Sequence, residues 1–294
     1  DLHSFPTRRS SDLVGVVSLG AAAGTVFVAW ALYLLLGTWP DAIAYTIFVI
    51  ALGASIAYFV IMFRSPKVTG PERTHMRAYI SLWVGAVLFW MIYEQASGKM
   101  AIFSKSHTDG TTPFGWVISP EAYQSVSPAT IVILAPLVGW FFSRRLGRAI
   151  PTVTKFATAV LIVGLSALMM GYGFHSWTGG EDGPLAPWWF LAVVFIVQTV
   201  GELFLSPVGL STTTALAPKS FASQAMVLWL LASATGQGLA AVVIANTRHI
   251  GDATYYYGLG AATIVVAIAI FAAAPWTQRD RKSTRLNSSH GRRS

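Results

Sequence analysis

Long apolar segments separated by short polar loops make up the sequence from Val14 to Arg279. Each segment is close to the roughly 20 residues that a helix needs to cross a bilayer. The segments lie at 14–37, 42–63, 78–103, 127–143, 152–174, 186–208, 221–245 and 254–275. Helix is the expected conformation, because unpaired backbone groups are too costly in hydrocarbon. The pattern therefore predicts an all-α membrane protein with eight transmembrane helices.

The composition supports the membrane class. Charged residues make up 11% of the chain and hydrophobic residues 54%, whereas soluble domains carry about 25% charged residues. The absence of cysteine excludes disulfides and thiolate metal sites. No metal-ligand cluster, nucleophile–base arrangement or phosphate loop indicates an enzyme or a cofactor. The net charge of +8 is not gathered in a basic patch interleaved with aromatics, so nucleic acid is not an expected partner.

Charges in the loops predict the orientation. Basic residues are concentrated in the loops at 64–77, 144–151 and 209–220, whereas the loops on the opposite side are mainly acidic. Because basic loops stay in the cytoplasm, these three loops are predicted to be cytoplasmic. An even number of spans then places both ends of the apolar body on that side as well.

The two ends of the chain differ from the apolar body. Residues 1–13 (DLHSFPTRRSSDL) and 280–294, which begin with DRKSTRLNSSH, resemble translated sequencing-library adapters over nearly every residue of the quoted segments. We therefore expect both segments to be non-native artefacts that flank a piece of a gene. They are excluded from the reasoning on fold and function.

Several polar side chains fall inside the predicted spans, where they are costly unless they face a bundle interior or a watery cavity. Residues at i, i+4 and i+8 lie on one face of a helix. Three helices carry such a stripe, formed by Trp90 and Glu94, by Gln198, Glu202 and Ser206, and by Trp229, Ser233 and Gln237. The stripes fit one shared cavity. The alternative is that these groups form interhelical hydrogen bonds that only fix the packing.

A buried carboxylate can also carry a proton. Desolvation raises the pKa of such a group and a nearby cation lowers it, so movement of the cation can load and release a proton near neutral pH. Glu94 has no such cation at helical spacing, because Lys99 is five positions further on and about 140° round the helix. Its basic partner is expected on another helix or outside this chain.

Four segments resemble helices of one known family, and the most specific of them is GELFLSPVGLSTTTALAPKSF (201–221). This segment is similar to the tenth-helix motif of the proton-coupled oligopeptide transporters, a family of the major facilitator superfamily. FWMIYEQ (89–95), YQSVSPATIVILAPL (123–137) and QAMVLWLLASATGQ (224–237) resemble its seventh, eighth and eleventh helices. The resemblance covers essentially the whole apolar body.

The resemblance implies a division of the chain into two units. Residues 14–63 correspond to the linker helix hairpin that prokaryotic members carry between their two six-helix bundles, and residues 64–279 to the C-terminal bundle. The N-terminal bundle would be missing, with its glutamate–arginine–tyrosine proton motif and the basic residues that contact the substrate. The implied location is the inner membrane of a prokaryotic cell.

The resemblance also implies roles for individual residues. Glu94 matches the seventh-helix carboxylate implied in proton coupling, and Glu202 matches the tenth-helix glutamate that receives the peptide's amino terminus. The further substrate-binding candidates are Trp90, Trp229, Ser206, Ser233, Gln198 and Ser127. The two tryptophans match aromatics that line side-chain pockets. Ser127 stands where the family often has a peptide-binding asparagine.

The sequence thus predicts the C-terminal half of a proton-driven uptake symporter for di- and tripeptides, and not an enzyme. The expected partners are an oligopeptide, protons, the lipid bilayer and the missing N-terminal bundle, with no metal or cofactor. Two alternatives stay open. One is a carrier of the same fold for nitrate, an amino acid or a drug, and the other is an inactive gene fragment.

Overall fold

Helices make up most of the computed structural model, which describes residues 8–180 and 182–290. Eight helical segments of the described residues are long and apolar enough to span a membrane, which confirms the predicted number. The α-helices are α1 (Arg8–Leu36), α2 (Trp39–Arg64), α3 (Gly70–Tyr93), α4 (Lys99–Ser106), α5 (Val126–Ser143), α6 (Arg145–Ala149), α7 (Thr152–Ser176), α8 (Trp188–Leu216), α9 (Ala222–Asn246) and α10 (Asp252–His290).

Two short strands join the loops at one end of the bundle. Strand β1 (Thr108–Asp109) pairs in parallel with β2 (Ala186–Pro187). The pairing ties the loop after α4 to the loop before α8. With only these two-residue strands in the described part of the chain, the predicted all-α class is confirmed.

The end segments that we expect to be non-native fall largely at the edges of the described region. Residues 1–7 and 291–294 lie outside the described residues. The remainder forms the first residues of α1 and the last residues of α10. Their assignment as artefacts stays a prediction.

Close helix contacts hold the bundle together at glycines. Helices α7 and α10 approach at Gly164 and Gly260, where a Cβ added to Gly164 would lie 2.9 Å from Ile264 Cγ1. A Cβ on Gly260 would lie 2.9 Å from the Gly164 carbonyl oxygen. In lipid, association depends on such close packing, because the hydrophobic effect between helices is absent. Helix α7 also packs on α8, and both pack on α3.

The hairpin of α1 and α2 turns at Gly37, whose φ of +76° is readily adopted by glycine. Helix α2 then packs along α9. A Cβ on Gly238 would lie 2.7 Å from the backbone of Phe48, and Asn246 Nδ2 donates a hydrogen bond to the Tyr45 hydroxyl at 2.5 Å. The hairpin is therefore attached to the bundle through α9.

Candidate functional site

The third predicted span is interrupted at Glu94. The sequence pattern predicts one continuous helix over 78–103, but α3 ends at Tyr93, a 3-10 turn follows over Glu94–Ser97, and α4 begins at Lys99. Gly98 separates the two helical parts with φ −106° and ψ −112°, outside the helical region. Glu94 thus follows α3 and does not lie within it.

Two side chains donate hydrogen bonds to backbone carbonyls beside this break. Gln124 Nε2 donates to the Ala96 carbonyl at 2.7 Å, and Gln95 Nε2 donates to the Met91 carbonyl at 3.2 Å. In a bilayer an unpaired carbonyl costs several kcal/mol. These two hydrogen bonds therefore lower the cost of the break if it lies within the bilayer.

Glu94 faces α9. Gln237 Nε2 donates to Glu94 Oε1 at 3.0 Å and lies 3.3 Å from Ser233 Oγ. Ser233 and Gln237 are one helical turn apart, as the predicted stripe on α9 requires. The structure therefore brings together Glu94, Ser233 and Gln237, which the sequence pattern assigned to the polar stripes of two different spans.

Glu202, within α8, faces the end of α3 from the other side. Tyr93 donates its hydroxyl hydrogen to Glu202 Oε2 at 2.5 Å. Ser127 of α5 and Thr199 of α8 lie beside the same phenol. Tyr93 therefore connects the carboxylate to α3, and Ser127 lies in the same group.

The two carboxylates share one site because Tyr93 and Glu94 are consecutive. Both glutamates are half-buried, and they are close enough for their charges to interact. Within residues 18–180 and 182–272, neither has a basic side chain within ion-pair distance. Two ionised carboxylates repel each other in a medium of low dielectric. A positive group bound beside either carboxylate would offset this repulsion and would therefore be stabilised.

The two predicted tryptophans have different surroundings. Trp90 contacts Phe89 and Tyr93 edge to face, with ring centroids 5.6 Å and 5.5 Å away, and so lies beside the carboxylate site. Trp229 is buried between α9 and α8, where its ring covers Gly209 so closely that a Cβ there would overlap it. Trp90 is placed to line a site, whereas Trp229 packs two helices together.

The predicted stripe on α8 is divided among different neighbours. Gln198 is 1% exposed, and its Nε2 lies 3.5 Å from Met100 Sδ in the packing between α8 and α4. Ser206 is half-buried and makes no side-chain hydrogen bond to the described residues. Only Glu202 of this stripe joins the group around Tyr93.

Sequence reasoning missed two parts of the site. Tyr93 was not singled out, although a phenol next to an intramembrane carboxylate is a possible signal. The second part is an ion pair between Lys99 and Asp252, at the start of α10, with Lys99 Nζ 4.9 Å from the Tyr255 ring centroid. Gln95 Nε2 also donates to the Tyr255 hydroxyl at 3.1 Å. These contacts fix the second half of the broken span, α4, to α10.

Eight helices long and apolar enough to cross a membrane, with two half-buried carboxylates beside a helix break, are typical of a membrane carrier. The sequence profile of the POT family matches residues 36–256. The chain therefore belongs to the POT family, a family of transporters, and it is not an enzyme. The matched region excludes both end segments that resemble adapters.

Relatives agree with this assignment. The chain is 36% identical over 224 residues to the di-/tripeptide transporter of Lactococcus lactis subsp. cremoris, covering 75% of this chain and 44% of the relative. It is 33% identical over 227 residues to the uncharacterized transporter YclF of Bacillus subtilis (strain 168), covering 77% of this chain and 45% of the relative. The chain spans about half the length of these relatives.

Solved structures show the same fold. The peptide transporter POT in complex with sulfate superposes with a TM-score of 0.78 at 31% identity, covering 94% of this chain and 55% of that chain. A POT family transporter in complex with 5-aminolevulinic acid gives a TM-score of 0.79 at 28% identity, covering 92% of this chain and 55% of that chain. The predicted resemblance to the C-terminal part of such a transporter is confirmed.

Proposed function

We propose that the chain is the C-terminal half of a proton-driven symporter for di- and tripeptides. The observation that carries the proposal is the joining of two intramembrane carboxylates through consecutive residues: Tyr93 bonds Glu202, and Glu94 bonds Gln237. The similarity to a di-/tripeptide transporter of Lactococcus lactis supports the choice of substrate.

Glu202 is proposed to bind the amino terminus of the peptide. A carboxylate has about four acceptor positions, and the Tyr93 hydroxyl occupies one of them. The remaining positions can accept charge-assisted hydrogen bonds from an ammonium group, which are about twice as strong as neutral ones. Trp90 and Ser127 are proposed to line the adjoining side-chain space, with Ser233 further along α9 and Ser206 further along α8, whereas the packing position of Trp229 argues against its predicted contact with substrate.

Glu94 is proposed to carry the proton. Its partner Gln237 is uncharged, and a carboxyl group retains an acceptor oxygen whether or not it is protonated. The hydrogen bond at 3.0 Å therefore permits both protonation states, as a proton carrier requires. A cation from the missing bundle would favour the ionised state of Glu94. Protonation of Glu94 would release that cation, so that the two bundles could rock against each other.

The experiment uses the full-length transporter in proteoliposomes. Glu94→Gln should abolish accumulation of a labelled dipeptide against its gradient while preserving peptide exchange, which needs no net proton movement. Glu202→Gln should weaken binding of the dipeptide in both assays. Glu121→Gln, which changes an exposed carboxylate in the 3-10 turn before α5, is the matched control.

Two results would contradict the proposal. Gradient-driven accumulation that survives in Glu94→Gln would remove its role in proton coupling. The substrate class is tested by the competition of unlabelled dipeptide, amino acid, nitrate and 5-aminolevulinic acid with uptake of the labelled dipeptide. Stronger competition by a solute other than dipeptide would favour a carrier of the same fold for a different substrate.

A further inference from the structure

An apolar groove of about 390 Å³ separates α2 from α3 on the surface of the bundle. It runs along the last turns of α2, from Ile56 to Arg64, and the middle of α3, from Ile80 to Val84. The residues that line it are Ile56, Phe59, Val60, Phe63, Arg64, Ile80, Trp83 and Val84. All of these except Arg64 are apolar or aromatic. The indole N–H of Trp83 already donates to the Leu228 carbonyl at 2.9 Å, so the groove presents hydrocarbon and no free indole donor.

Two arginines stand at the loop end of this groove. Arg64 is the last residue of α2 and lines the groove itself. Arg77 precedes Ile80 by three residues and Val84 by seven on α3, so it lies on the same helix face. Both arginines are exposed. Among the side chains that the structure describes, neither has a carboxylate within ion-pair distance.

The acid closest to these arginines in sequence is already engaged elsewhere. Glu72 accepts hydrogen bonds from the backbone N–H of Thr69 at 2.9 Å and from that of Lys219 at 3.1 Å. The carboxylate therefore caps the start of α3 and ties the loop to the segment before α9. The positive charge at the mouth of the groove is left for an external anion.

We propose that the groove binds one anionic phospholipid, with an acyl chain between α2 and α3 and the phosphate between Arg64 and Arg77. Along α2, Ile56 and Arg64 are eight residues apart, or about 12 Å at 1.5 Å per residue. One leaflet contributes about half of the roughly 30 Å hydrocarbon core. The groove therefore matches the depth at which an acyl chain lies when its phosphate is level with the arginines.

The chemistry favours an anionic lipid over a zwitterionic one. Guanidinium groups bind phosphate oxygens in a bidentate geometry, and each basic residue near a charged membrane surface adds to the attraction. A choline headgroup carries its own cation beside the phosphate, and the two arginines would repel this cation. If the basic loops are cytoplasmic, as predicted, the site opens into the leaflet where anionic lipids are concentrated.

Native mass spectrometry of the full-length transporter tests the site independently of transport. The purified protein is titrated with phosphatidylglycerol or with phosphatidylcholine of the same acyl chains. The wild type should retain one phosphatidylglycerol at low lipid ratios and bind phosphatidylcholine more weakly. R64Q combined with R77Q should lower the affinity for phosphatidylglycerol by about tenfold or more and leave that for phosphatidylcholine nearly unchanged.

Two further variants separate the groove from general surface charge. R144Q combined with R145Q removes two exposed arginines from another loop predicted on the same side and should not alter lipid binding. Val60→Trp fills the groove and should reduce binding of both lipids, with the elution volume and Tm checked to confirm folding. Equal retention of phosphatidylglycerol by wild type and R64Q/R77Q, or an equal loss in R144Q/R145Q, would overturn the proposal.

Discussion

Replacing Tyr93 by phenylalanine removes one hydroxyl and leaves the aromatic packing at the end of α3 in place. That hydroxyl donates the hydrogen bond to Glu202 Oε2 at 2.5 Å. The ring stacks on Phe89 with centroids 5.8 Å apart and meets Trp90 edge-on at 5.5 Å, and phenylalanine can keep both contacts. The substitution therefore isolates the orientation of the Glu202 carboxylate.

The expected effect is weaker binding of a peptide's amino end. The phenol occupies one of about four acceptor positions on the carboxylate, so it orients Glu202 without excluding an ammonium group. Without the phenol, the Glu202 side chain must become ordered when the substrate binds, which costs about 0.5–1.5 kcal/mol of binding free energy. Since about 1.4 kcal/mol is a factor of ten, KM for a dipeptide should rise roughly two- to tenfold. The maximal rate should change much less than KM.

The assay compares two compounds on the full-length transporter. One is a dipeptide, whose uptake gives KM, and the other is its N-acetylated form, measured as an inhibitor, which lacks the ammonium group. Tyr93→Phe should raise KM for the first and leave the inhibition constant of the second unchanged. Tyr172→Phe is the control, because that residue is 53% exposed on α7. An unchanged KM, or equal losses for both compounds, would refute the reasoning.

Three further substitutions test the packing around the site. Gly209→Val places side-chain atoms where the Trp229 ring lies and should destabilise the bundle by about 1–3 kcal/mol, seen as a lower Tm; an unchanged Tm would contradict the contact. Asp252→Asn removes the charged partner of Lys99 and should raise hydrogen exchange in α4; unchanged exchange would show that the pair does not hold α4. Gly238→Leu should push α2 off α9 and raise exchange in α2 but not in α7, and equal exchange in both would indicate general unfolding.

Hydropathy was sufficient to predict the helical segments, because each span is a local property of about 20 consecutive residues. All eight spans appear close to their predicted positions. The interruption at Glu94 escaped this reasoning, since a window of that length averages over a four-residue turn. The break also depends on a distant residue: Gln124 supplies a donor to the Ala96 carbonyl. Sequence shows that both residues are present and gives no sign of their contact.

The ion pair that anchors α4 was equally inaccessible. Lys99 and Asp252 are separated by 153 positions, and each could have been assigned to solvent at the end of a span. Their pairing follows from the packing of α10 against the third span. Only a tertiary structure determines which charged ends meet.

The divided stripe on α8 shows what helical spacing can and cannot establish. Gln198 and Glu202 lie one turn apart on one face, as predicted, but a long helix passes different neighbours at each turn. Gln198 meets Met100 of α4, whereas Glu202 meets Tyr93. The shared site is instead defined by the end of α3, where the consecutive residues Tyr93 and Glu94 reach α8 and α9 respectively. A movement of this one helix end would change the surroundings of Glu202 and Glu94 together, and the proposed function requires such a link between substrate and proton.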